Sequence, residues 1–151
     1  MKLVHDMIVL VVDGSRMLLL RNQGDEVYPD LRVIEHRQFE NLPNRDLLSD
    51  APGVDFSAGY PGRSTFEESD PHQANEDLFI AAAADTLASV AANGQDRLIV
   101  AAPPRALGEL RRHYTQDVRA RLVAEIDKDF TRHTVDEIAR LLSVHGEPAG
   151  A

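Results

Sequence analysis

Arg97-Leu98-Ile99-Val100-Ala101-Ala102-Pro103-Pro104-Arg105-Ala106-Leu107-Gly108-Glu109-Leu110-Arg111-Arg112-His113-Tyr114 is the stretch on which the fold turns. Leu98, Ile99 and Val100 are strand formers, and the run ends in two alanines before a pair of prolines. Pro104 suits the first position of a helix, where it has no N–H to lose and its φ is already helical. Leu107, Leu110 and Tyr114 then recur at helical spacing, which makes one face apolar and the other basic. The spacing predicts a buried strand feeding a helix. In an open α/β sheet such a junction sets backbone N–H groups and Arg105, Arg111 and Arg112 at the carboxyl edge, where ligands bind. A capped strand-to-helix connection with solvated arginines is the plainer reading of the same spacing.

The chain has 151 residues, the size of one domain, enough to bury a core without a disulfide or metal staple. It has no cysteine, which excludes a disulfide scaffold, a thiol nucleophile and a cysteine zinc site, and suits a reducing cytoplasm. The apolar run 7–12 is too short to span a bilayer and lacks the cleavage pattern of a signal peptide, so a strand and a cytoplasmic location are expected, with no membrane partner.

A formal charge of −9 argues against broad nucleic-acid binding, and DNA is not an expected partner. The distribution is polarised. Five arginines (Arg105, Arg111, Arg112, Arg119, Arg121) stand against Glu109 and Asp117 within 105–121, whereas 40–77 holds nine acids against Arg45 and Arg63. A polarised surface and a solvated helix face both fit this pattern.

Residues 8–12 read as a first strand, 17–21 as a second after the turn at Asp13-Gly14-Ser15-Arg16, and 31–39 as a half-buried third. These form an antiparallel meander in which Gly14 can supply positive φ, and Leu31 and Val33 face inward. Residues 41–69 show no sustained period and many prolines and glycines, as in a functional arm or a disordered connection. Leu47, Leu48, Phe56 and Tyr60 could pin this loop to a surface or to a second copy of the chain. Asp70 and Pro71 then open a helix ended by Asn93-Gly94, with Gln73 placed to reach back to the cap and a core stripe at Leu78, Phe79, Ala82, Ala83, Thr86, Leu87 and Val90. Residues 115–119 read as a helical turn or linker, and 122–126 as the last strand. Thr134-Val135-Asp136-Glu137 is a capping box opening the last helix, and 147–151 a frayed tail. The expected unit is a single α/β domain over 1–146 with a long loop at 41–69. Right-handed crossovers give a five-stranded mixed sheet of order 3-2-1-4-5 with helices on both faces.

Ala102 to Arg111, read with Ala124-Glu125-Ile126-Asp127-Lys128-Asp129-Phe130-Thr131 and Asp70-Pro71-His72, resembles the bacterial "protein required for attachment to host cells" (host attachment protein) family, grouped with bacterial relatives of archaeo-eukaryotic class 1 release factors. The resemblance covers nearly the whole chain. It implies a fold similar to the middle, peptidyl-tRNA-hydrolysing domain of those factors, with a ribonuclease H-like sheet of the order given above. It also implies a ribosome- or tRNA-related partner.

In those factors a Gly-Gly-Gln tripeptide before the long helix orients the attacking water. The corresponding loop here, Gly59-Tyr60-Pro61-Gly62-Arg63-Ser64-Thr65, has no such tripeptide, and Gln73 is the only nearby glutamine. The departure points to a non-catalytic or weakly catalytic binding module that affects attachment indirectly. Arg105, Arg111 and Arg112 would meet phosphate or RNA. Gly62, Arg63 and Gln73 are the candidates if esters of peptidyl- or aminoacyl-tRNA are hydrolysed, and a homo-oligomer joined through 41–69 is a further alternative. A nuclease reading would need Asp13, Asp127 and Asp129 to converge on metal ions. His72 and Glu76 lie one helical turn apart but lack a second pair, so no metal or cofactor is expected.

Overall fold

The computed structural model describes residues 1–39 and 71–145. The expectations for 41–69, for the Asp70 cap and for the 147–151 tail lie outside these residues, and with them Gly62, Arg63 and the apolar contacts at Leu47, Leu48, Phe56 and Tyr60.

Three strands come first, β1 (Ile8–Val12), β2 (Arg16–Asn22) and β3 (Leu31–Gln38), then helix α1 (Pro71–Ala92). Strand β4 (Leu98–Ala101), helices α2 (Pro104–Arg111) and α3 (Gln116–Arg121), strand β5 (Leu122–Ile126) and helix α4 (Val135–Val144) complete the series. The sheet order is β3-β2-β1-β4-β5, the expected 3-2-1-4-5. β1 pairs antiparallel with β2 from Ile8 opposite Arg21 to Val12 opposite Met17, and parallel with β4 from Ile8 opposite Leu98. β5 extends the parallel half beside β4.

Every residue of β1 and β4 is buried, because helices cover both faces of the sheet centre. Successive side chains alternate between two cores. Leu10, Val12, Met17, Leu19 and Val100 pack with Leu87 of α1, Leu110 of α2 and Val118 of α3. Val9, Val11, Leu20, Ile99 and Ile126 pack with Phe130 and with Ile138 and Leu142 of α4.

Three local expectations change. The buried stripe of α1 runs through Ile80, Ala83, Ala84, Leu87 and Ala91, and Leu78 is 70% exposed. The stripe lies one residue around from the expected one, with Ala83, Ala84 and Ala91 in the core beside Ile80 and Leu87. Between Leu19 and Leu20 the β2–β3 register slips, with Glu35 opposite one and Val33 opposite the next, so Ile34 forms a bulge. On this edge strand Val33 is exposed. Gly14 is not in the left-handed region; what it supplies is room, since a Cβ there would stand 2.8 Å from Cδ of Glu76.

Two of the end signals read from sequence are present. Pro104 occupies the first turn of α2 after Pro103. The Thr134 hydroxyl accepts from the Glu137 N–H at 3.1 Å, while the Glu137 carboxylate accepts from the Thr134 N–H at 2.9 Å. No helix among the described residues is long and apolar enough to cross a membrane.

Candidate functional site

β1, β4 and β5 all run toward one edge of the sheet, and α1 and α2 begin there. The turn after β1 brings Asp13 to that edge, and the segment after β5 brings Asp129 and Thr131. Asp13 Oδ1 accepts from the N–H groups of Ser15 and Arg16, both at 2.7 Å, and Oδ2 accepts from the Thr131 hydroxyl at 2.8 Å. Burial alone pushes this carboxyl up. The Ser15 N–H, the Thr131 hydroxyl, the Arg16 N–H and the Ser15 hydroxyl together outweigh it and hold the group below the ordinary aspartate value. Asp129 Oδ1 lies 2.6 Å from the same Thr131 hydroxyl.

Beside this edge α2 and the first turns of α1 enclose a cleft of about 570 Å³, lined by Asp77, Pro104, Arg105, Gly108, Glu109 and Arg112. The α2 residues at 105, 108, 109 and 112 share one helical face, whereas Ala106, Leu107 and Leu110 are buried beneath it. Arg105 makes no ion pair among the described residues. Arg112 stands 3.8 Å from Glu109, which also accepts from His113 at 3.0 Å. Both arginines are exposed and can turn toward an anion in the cleft.

Arg111 points the other way. Its Nε and Nη2 reach Glu125 Oε1 on β5 at 3.0 and 2.7 Å, and the Tyr114 hydroxyl donates to Oε2 at 2.8 Å. Burial raises the Glu125 carboxyl, but the hydrogen bonds from Arg111 and Tyr114 and the charges of Arg111 and Arg119 hold it below the usual range. Burial and the same carboxylate push the Tyr114 phenol well up. Arg121 donates to the carbonyl of Ala91 at the end of α1. Much of the basic charge in 105–121 is thus answered inside the fold.

The structure gathers Arg105 and Arg112 around one cleft and places Arg111 against β5. Gln73 Nε2 donates to Asp77 Oδ1 at 3.0 Å, one helical turn on and at the rim of that cleft. Gly62 and Arg63 lie outside the described residues. Asp13 and Asp129 meet through Thr131, while Asp127 is exposed beyond them. Glu76 lies against Gly14. Sequence reasoning missed Glu125 as the partner of Arg111 and Thr131 as the link between two aspartates. Both were in view in the block 124–131, but their roles depend on strand order.

A family model described as bacterial archaeo-eukaryotic release factor family 12 matches residues 6–142. A search of curated proteins finds no match to the chain.

Proposed function

The chain belongs to bacterial archaeo-eukaryotic release factor family 12, and from that premise we propose that it is a translation-related binding module that meets phosphate of a ribosome- or tRNA-borne RNA at the α2 cleft. The observation that carries this reading is the placement of Arg105 and Arg112 on the outward face of α2, around an open cleft beside the start of the long helix. Two exposed arginines lining one cleft supply point contacts to phosphate within an acidic molecule, which favours a local, salt-sensitive interaction over coating of nucleic acid in general. Asp77 and Glu109 in the same cleft temper the positive potential and restrict binding to a partner that brings its phosphate to these two side chains. Arg111 supports the site by tying the end of α2 to β5.

Binding rather than turnover is the function proposed, since Gln73 already has its amide nitrogen on Asp77. An effect on attachment to host cells, the outcome named by the family resemblance, would follow indirectly from action on translation in the cytoplasm. Co-sedimentation with the bacterium's ribosomes tests the reading. Wild-type protein should pellet with them at low salt, and the Arg105→Glu/Arg112→Glu variant should stay in the supernatant. Wild-type protein that remains in the supernatant at low salt contradicts it.

A further inference from the structure

In a chain with 25 acidic residues, the clefts bordering the described residues mostly carry carboxylates: Asp77 and Glu109 by α2, Glu26 and Asp96 at the opposite edge, Glu137 beside α4. One differs. On the α4 side of the sheet, at the carboxyl edge, a cleft of about 240 Å³ is lined by Arg16, Leu18, His36, Gln38 and Thr131, and among the described residues no carboxylate lines it.

The sheet register builds this cleft. Arg16 stands opposite Gln38 and Leu18 opposite His36, so two adjacent cross-strand pairs place an apolar floor beside three side chains that can donate hydrogen bonds. Thr131 closes the inner end, its hydroxyl directed to Asp13 and Asp129. Arg37 also borders the cleft, but its guanidinium turns to Glu35 and to Thr86 of α1 on the other face. The Arg16 guanidinium is half-buried and has no acceptor among the described residues. A partly desolvated cation without a counter-charge among the described residues calls for an anion. The volume is below the roughly 300–1,000 Å³ of pockets that hold drug-sized ligands, so the cleft suits a phosphate group rather than a whole nucleotide.

We propose that this cleft is a second phosphate site, on the sheet face opposite α2, in which Arg16 pairs with the anion and His36 and Gln38 donate hydrogen bonds to it. The site does not depend on the α2 cleft. The phosphate is either free inorganic phosphate or a phosphodiester of RNA.

The test is an amide-resolved NMR titration of the full chain, first with inorganic phosphate and then with a short single-stranded RNA lacking terminal phosphate. Saturable shifts at Arg16, His36, Gln38 and Thr131 are expected. Affinity should fall at least tenfold in Arg16→Ala and also weaken in His36→Ala, whose exposed side chain leaves the fold intact. Arg105→Glu/Arg112→Glu should leave these shifts unchanged, which separates this site from the one on α2. Shifts with RNA identify a phosphodiester as the source, and shifts with inorganic phosphate alone identify free phosphate. No saturable shift at these amides with either probe, or the same affinity in both single variants, overturns the proposal.

Discussion

The Thr131 hydroxyl lies 2.8 Å from Asp13 Oδ2 and 2.6 Å from Asp129 Oδ1, joining the end of β1 to the segment after β5. One proton serves two carboxylates, and the site is buried at Asp13 and Thr131. Thr131→Val removes a donor from a buried carboxylate, and should cost about 1–3 kcal/mol in urea unfolding. A change within experimental error would show that the link is not structural.

Asp13 also predicts a pH dependence. Its folded pKa is depressed, so its bonds contribute fully above the unfolded value of about 3.9 and are lost as the pH falls through the folded value. Urea stability should therefore drop below about pH 4, with a shallower acid limb and a lower plateau in Asp13→Asn. Parallel pH profiles for the two proteins would contradict this.

The corrected stripe of α1 is testable by contrast. Leu87 is fully buried and Leu78 is 70% exposed. Leu87→Ala should cost about 2–5 kcal/mol, and Leu78→Ser less than about 0.5 kcal/mol. Comparable losses at the two positions would restore the face expected from sequence, which held both leucines.

That contrast marks where the sequence is readable. The continuous apolar runs of β1 and β4 can only be central strands, and right-handed crossovers then set the order of all five. Thr134 and Glu137 announce their helix because a capping box is local chemistry. The 78–84 run Leu-Phe-Ile-Ala-Ala-Ala-Ala is apolar nearly all round, so periodicity leaves its phase open by a residue, and only the fit of small side chains to the sheet decides it. The bulge at Ile34 has no sequence signature either. At the site, the arginines of α2 are legible as a cluster. Their division is not, since Glu125 meets Arg111 only once β5 lies at the sheet edge. Thr131 and Asp13 are 118 positions apart, beyond any spacing argument.

The loop between β2 and β3 is closed by Gly24, where a Cβ would lie 2.1 Å from the Tyr28 carbonyl oxygen. That oxygen belongs to the backbone and cannot swing away. Gly24→Ala should cost about 1–3 kcal/mol, whereas Gly14→Ala, which meets only the flexible end of Glu76, should cost less. Thermal denaturation of the two variants side by side decides the order, and equal midpoints would contradict it.

The arginines of α2 divide into a structural one and two that face the cleft. Tyr114→Phe should cost about 0.5–1.5 kcal/mol by removing its bond to Glu125. Arg111→Ala should lower the urea midpoint, while Arg105→Ala should leave it unchanged. A larger loss in Arg105→Ala would reverse the assignment.

The salt dependence of ribosome binding, measured by co-sedimentation for wild type, Arg105→Ala and Arg112→Ala, reads the phosphate contacts one at a time. Each contact contributes a little under one to the slope of log affinity against log salt, so each single variant should flatten that slope by about 0.7–0.9 while remaining folded. Slopes identical to wild type in both variants would mean that the α2 cleft does not meet phosphate, and would remove the basis for a ribosome- or tRNA-facing edge.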